Sequence, residues 1–514
     1  MKGIIACALA ASTAFLSASH GQEPDTVIRY SEYGAVGDGV ADDFDAIIKA
    51  HAAANKTGVN VRADAGATYY IGAANKTAQI QTDTDWGDAK FIIDDSKVEV
   101  ENRGHQIFNI SSKHPSTRIT TVKTLGKNQD KLDVLFPHDA FIVVTDNTTL
   151  RYIRYGANQN NGAPQTDVFV VDKNGNVDMK APIIWDFGTI SSMTAYPIDT
   201  ETLTVRGGHF TTIANQANSR YTYYARGISV MRSNVVIDGV VHTVTGELDH
   251  GAPYQGFISI STCAHVTVQN SKLSGHKTYK TVGSANVPVT MGTYDIGVNR
   301  SANVTFKNCK QLNDIHDTKL WGIMGSNYSK NILFDSVEFS RFDAHMGVAN
   351  ATIKNSVLGH MGINLIGSGI FLVENTKVCG ANFINLRGDY GSTFEGENII
   401  RNSEYVPGNG RPSDAVLIAG NYSGQHNFGY TCYMPRKITI DGLVIHDINP
   451  VKNYPGPKIF SAFNSAYKDE THVEKYPYVI TEEVVIANLT VKSGKPYRIS
   501  NNPFMFRNVK VTEK

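Results

Sequence analysis

The sequence carries no surplus of charge: 48 lysines and arginines meet 48 aspartates and glutamates. That excludes the overall basic field by which a protein gathers nucleic acid, so an anionic partner has to be held by a local cluster of cations. Cysteine is scarce, with 5 in 514 residues and no CxxC pair, which argues against a disulfide framework or a zinc site. Cys7 falls inside an apolar run, and Cys263, Cys309, Cys379 and Cys432 are expected as small buried apolar side chains. No run of eighteen apolar residues occurs, so no membrane-spanning helix is expected. The phosphate-loop spacing GxxxxGK[ST] is missing too, which leaves Gly37, Asp38 and Gly39 as a turn.

What is present starts with an export leader. Lys2 supplies the positive end, Ile4 to Leu16 the apolar run, and Ser17 to Gly21 the small residues of a cleavage point. Residues 1–21 are read as a signal peptide and 22–514 as one domain, secreted or periplasmic and acting as a monomer. Next, Asp42 and Asp45 suit the start of a helix, and Ala46, Ile47, Ala50 and Ala53 recur at helical spacing before Gly58. The segment VNVRADAGATYYIG then reads as strand, turn, strand.

This opening resembles the N-terminal segment of the pectate-lyase-like superfamily of right-handed parallel β-helices. The resemblance is carried by Tyr33, Gly34, Ala35, Gly37, Asp38, Gly39, Asp42, Asp43, Ala46 and Ile47, then Gly66, Tyr69 and Ile71. It implies an all-β solenoid whose open end is plugged by a short capping helix. It implies little about activity, because lyases, hydrolases, epimerases and phage tailspikes share the fold.

Residues 73–200 are less regular, and a β-rich insertion is expected around 115–200. From about residue 200 a repeat is legible in NVVIDGVV, HVTVQNSK, NVTFKNCK, NILFDSVE, NATIKNSV and IFLVENTK. Its turn anchors are Gly239, Asn270, Asn308, Ser336, Asn355 and Asn375, at the spacing of repeat folds. Each copy is too short to bury its own apolar face, so copies must stack, with Val266 and Val268 above Val304 and Phe306, then Ile332 and Phe334, then Ala351 and Ile353. The repeated asparagines suit left-handed turns and amide ladders, a structural duty.

Past four of the anchors, Asn270, Asn308, Ser336 and Asn355, lies a histidine: His276, His316, His345 and His360. Stacking should bring them into or near one outward column, with Lys277, Asp317, Lys319, Arg341 and Asp343, and then Arg387, Asp389 and Tyr390 from the next coil. Such a mixture of imidazole, carboxylate and cation suits acid–base work on a sugar chain. The segment from Tyr294 through Asp295, Asn299 and Arg300 lies one strand before such a turn. Its stacked neighbours Trp321, Asn327 and Tyr328 offer aromatic rings beside polar groups, as a pyranose requires. His426 and Tyr430 belong to an excursion that overhangs the groove or forms a loop tip.

The expected reaction is β-elimination on a uronic-acid polysaccharide. His345, His316, Tyr294, Arg341, Asp343, Lys319 and Arg387 are the catalytic candidates. His360, His276, Asn299, Arg300, Asp317, Asn364, Asp389, Tyr390 and His426 are the substrate-binding ones. Hydrolysis would instead need paired carboxylates, for which Asp317 and Asp343 are the candidates with Asp389 as a third; the polygalacturonase motifs are absent, and Gly359 to Gly362 echo one only in part. A non-catalytic carbohydrate-binding coil is the third reading. No cofactor and no metal ligands are assigned; calcium serves some lyases of the superfamily, yet no tight aspartate cluster indicates it here. The histidine-, arginine- and tyrosine-rich region 220–435 also resembles β-helix lyases acting on glycosaminoglycans such as chondroitin, dermatan and hyaluronan.

Overall fold

In each repeat, apolar and polar residues alternate, so every short strand turns one side inward and the other to solvent. A computed structural model describes residues 27–218, 222–248, 251–420, 428–461, 478–502 and 508–514. Over these the chain winds as a right-handed parallel β-helix, each winding laying strands on three faces. The first face carries Val235–Asp238, Ala264–Gln269 and Ala302–Lys307 in parallel register. The second carries Val241–Thr245, Lys272–Leu273 and Lys310–Gln311. The third carries Ile228–Met231, Ile258–Ser261, Ile296–Asn299, and later Asn382–Leu386 and Val416–Ala419.

The predicted stacking is found rung by rung: Val266 pairs with Val304, Val304 with Ile332 and Ile332 with Ala351, while Val268, Phe306, Phe334 and Ile353 form the parallel row. All are buried inside the coil, and each large apolar side chain so buried is worth about 1.5–3 kcal/mol. The anchors Gly239, Asn270, Asn308, Ser336, Asn355 and Asn375 all sit at left-handed φ, between 46° and 74°. There the asparagine amides ladder: Asn355 Nδ2 donates to Asp335 Oδ1 at 3.0 Å and Asn375 Nδ2 to Asn355 Oδ1 at 3.3 Å. Cys263, Cys309, Cys379 and Cys432 are all buried.

The capping helix, α1 (Phe44–Thr57), buries Phe44, Ala46, Ile47, Ala50, His51 and Ala54 against the first windings. Its start differs in detail from the expected cap. Asp42 Oδ1 accepts the Phe44 N–H at 3.0 Å, Asp43 turns back to the Val36 N–H at 2.6 Å, and Asp45 is spent on a surface ion pair with Lys76.

Between windings the chain leaves the coil as a four-stranded antiparallel sheet of Thr117–Arg118, Ala140–Arg151, Ala163–Val171 and Ser192–Pro197. One side has its own core of Ile142, Val144, Phe169 and Phe187; the other packs Phe141 and Val168 on the coil residues Ala264 and Ala302. An ion pair pins this seam, with Lys330 Nζ 2.7 Å from Asp167 Oδ1 and both side chains almost fully buried. Among the described residues no helix is long and apolar enough to cross a membrane. The signal-peptide segment and His426 lie outside the described residues.

Candidate active site

The third face carries a groove of about 430 Å³ where its outward residues shrink to Ser259, Gly297 and Gly325. Small residues are needed there because Tyr294, entering the strand Ile296–Asn299, lays its ring over the next winding: a β-carbon on Gly325 would stand 2.9 Å from that ring. On the winding beyond, a bulge makes Ser326 pair with Ala344 but Asn327 with Met346, so His345 is the extra residue. Bulges re-aim side chains, and this one delivers the imidazole to the groove beside Asn299, Asn327, Arg341 and Arg387.

The centre is Asp343, wholly buried. Its Oδ2 accepts the Tyr294 hydroxyl at 2.6 Å and faces Arg341 Nη2 at 2.9 Å, and its Oδ1 lies 3.9 Å from Arg387 Nη1. Burial alone would raise this carboxyl, yet Arg341 and Arg387 outweigh it and hold it below the usual carboxylate range. Asp389, clamped by Arg387 at 2.6 Å and Arg154 at 2.7 Å, is likewise held low against burial. Burial, and then the charge of Asp343, push the Tyr294 phenol up, so it keeps its proton.

His345 is pushed the other way, down to about 4, by burial and then by Arg387. Its Nδ1 lies 3.1 Å from Asn327 Oδ1 and its Nε2 3.3 Å from the Tyr390 hydroxyl. Donation from Nδ1 to that amide oxygen leaves the Nε2 lone pair as the acceptor, so the ring is a neutral base at pH 7. Two donors in this neighbourhood, Arg341 Nε and Trp321 Nε1, are buried without a hydrogen-bond partner.

Of the residues singled out in the sequence, Tyr294, Asn299, Arg341, Asp343, His345, Arg387, Asp389 and Tyr390 are brought together here. Asn364 pairs with Asp343 one rung on and accepts from Asn385 at 2.7 Å. Arg300 follows the strand and stacks on Tyr328, 5.6 Å from its ring centre.

The single histidine column does not form. His276 points inward, where it bonds Asp295 Oδ1 at 3.0 Å and faces Glu247; these carboxylates overcome burial and raise it to about 9. His316 is exposed and bonds Asn409 Oδ1 at 2.6 Å. His360 bonds the Leu320 carbonyl at 3.1 Å. Lys319 and Asp317 close their own turn in the same corner loop, with the Lys319 N–H on Asp317 Oδ1 at 2.9 Å. The cause is unequal corners between the second and third faces. Ser340 alone turns the corner between the paired residues Phe339 and Arg341, whereas three residues around His360 do so on the next winding, between Leu358 and Gly362. Asp317 therefore does not line the groove and Asp343 is wholly buried, so the two do not make the carboxylate pair across one sugar bond that hydrolysis would require.

Sequence reading passed over Arg154 and Asn158, which reach the groove from the antiparallel sheet, and Tyr254, which forms part of its wall. Arg154 bonds a partner 235 residues away; no repeat position could have signalled it. Tyr254 is tied through its hydroxyl to Asp95 at 3.0 Å and so to Arg226, a buried pair under the groove.

Fold and groove together define a parallel β-helix with a polar, arginine-rich cleft on one face. Among solved structures of this fold, the chain is similar to a tailspike of Acinetobacter baumannii bacteriophage AP22 in complex with A. baumannii capsular saccharide, at 12% identity over 94% of this chain and 79% of that one, with a TM-score of 0.50. Weaker likenesses are to a tailspike of Pseudomonas phage phi297, at 13% identity over 92% and 83% of the two chains and a TM-score of 0.48. The catalytic unit of a GH87 α-1,3-glucanase from Streptomyces thermodiastaticus strain HF3-3 follows at 11% over 96% and 68%, with a TM-score of 0.42. No protein-family model matches the sequence, and no curated protein matches it at a significant level.

Proposed function

We propose that this is an exported polysaccharide lyase that cleaves a uronic-acid chain by β-elimination in the Tyr294–His345 groove. One observation carries the reading: the groove joins a neutral imidazole and a protonated phenol, while the two carboxylates behind its lining, Asp343 and Asp389, are held ionised by arginine. A glycoside hydrolase needs one carboxyl kept protonated to donate to the leaving oxygen. Neither Asp343 nor Asp389 meets that need. That a tailspike with this fold is found in complex with a capsular saccharide is in keeping with a sugar ligand here.

In the proposed step His345 Nε2 takes the C5 proton of the uronic acid. The electron pair of that bond forms the C4–C5 double bond, and the C4–O bond breaks with its pair going to the leaving oxygen. Tyr294 gives that oxygen its phenolic proton; the phenolate regains one from solvent as His345 sheds its own. Arg341 and Arg387, which both line the groove, steady the substrate carboxylate as charge develops on it. Purified protein is to be incubated with polygalacturonate, hyaluronan, chondroitin sulfate and dermatan sulfate, with absorbance of the unsaturated product recorded. The expected result is an absorbance rise on at least one; chain scission without it would replace the lyase by a hydrolase, and retention without scission by a binding coil.

A further inference from the structure

Two segments outside the coil meet above the candidate site. One is the turn between Arg151 and Ala163 in the antiparallel sheet; the other is the hairpin formed by Tyr279–Val282 and Pro288–Met291. They join at their tips: Ser284 Oγ donates to the Gln159 carbonyl at 2.6 Å and the Ala285 N–H to the Ala157 carbonyl at 3.0 Å. The contact is tight enough to require glycine, since a β-carbon on Gly283 would stand 2.2 Å from the Ala157 carbonyl oxygen.

Both outer ends stand on the coil. The first segment is footed on Asp389, through the Arg154 guanidinium at 2.7 Å and the Tyr155 N–H at 2.9 Å. The hairpin runs directly into Gly292 and Tyr294. Between these feet the third face steps from Ile296 to Met324, on to the winding of Ala344 and Phe342, then to Ile363 and Ile384. Those steps, at about 4.8 Å each, make a span of roughly 19 Å. Arg154, Asn158, Thr290 and Met291 line the same cavity as Arg341 and His345, so the joined segments form an arch over the reacting groups.

A polymer cannot be laid from above into a cleft that one bridge spans; it has to be passed under the bridge. We propose that the arch makes this a chain-end enzyme, one that admits the terminus of an acidic polysaccharide and releases short fragments from it instead of cutting at random along the chain. This rests on the lyase reading above. The polar lining that Arg154 and Asn158 add to the cavity lies on the arch itself, so the bridge contributes to substrate recognition as well as to access.

The test follows polymer size and unsaturated ends together, on whichever of the four panel polymers yields product. Wild-type protein is expected to build up short oligosaccharides while the residual polymer keeps its mean mass. Gly283→Val, which forces the tips apart, and a second variant with residues 283–287 replaced by a two-residue Asn-Gly turn are expected to lower the mean mass several-fold more per unsaturated end formed. Wild-type protein that degrades the polymer as randomly as the opened variants overturns the proposal while leaving the lyase reading intact. If no polymer is cleaved, the lyase reading fails and calorimetric titration of the same polymers decides on the arch. One protein bound per chain end, whatever the chain length, supports it; occupancy that grows with chain length, or no binding, overturns it.

Discussion

Replacing Tyr294 by Phe removes one oxygen and little else. The ring keeps its seat over Gly325, and Asp343, deprived of the 2.6 Å hydroxyl, retains Arg341 at 2.9 Å. The fold should lose about 0.5–1.5 kcal/mol, the net worth of one hydrogen bond, and more only if Asp343 fails to re-pair. Catalysis should lose far more. A positioned proton donor contributes about 10²–10⁴ in rate, or about 3–5 kcal/mol of barrier at ~1.4 kcal/mol per tenfold. Since the phenolic proton moves only as the C4–O bond breaks, the loss belongs in kcat, with KM changing less than about tenfold. The assay is the initial rate of unsaturated-product absorbance across substrate concentration, with a melting curve to confirm the fold. A variant within tenfold of wild-type kcat, or one whose whole defect lies in KM, would remove Tyr294 from the role of acid.

The depressed His345 sets the acid side of the pH profile. The base must be unprotonated, so kcat/KM should hold through pH 6 and fall only as pH drops through about 4; a limb near 6.5, the value of an ordinary histidine, would exclude it as the base. Because the unfolded chain takes up this proton at higher pH than the folded one, His345 also costs stability as pH falls from 6.5 towards 4, and circular dichroism at each pH separates unfolding from loss of activity. Lys330→Met strands Asp167 in the seam between sheet and coil, where, among the described residues, the Val168 and Ile184 N–H groups still reach it at 2.7 and 2.8 Å. The expected destabilisation in urea is about 3–5 kcal/mol, with most of it regained when Asp167→Asn is added; equal stability of the single and double variants would show that the pair carries no such charge penalty.

The coil was legible because its turns are chemically demanding. A left-handed residue between two strands admits Asn or Gly readily and little else, so Asn270, Asn308, Asn355 and Asn375 marked the windings on their own. The stacking of Val266, Val304 and Ile332 followed from strand alternation alone. The corners made no such demand. A hairpin fits between Leu273 and Ile296, a loop between Gln311 and Met324, and one residue between Phe339 and Arg341, so a histidine a few residues past each of these anchors did not become a neighbour of the next, and His276, His316 and His360 dispersed. His345 reached the groove through a bulge, which the sequence does not announce. Arg154 was illegible for a different reason: its partner is set by how a whole inserted sheet docks on the coil, through buried contacts such as Phe141 on Ala264.

The clamp on Asp389 joins residues 235 positions apart in the chain. The cleft therefore has no finished form until most of the molecule has wound and the side sheet has docked. A partly wound chain holds the imidazole and the phenol on a scaffold that still lacks the arginine clamp set between the side sheet and the late windings.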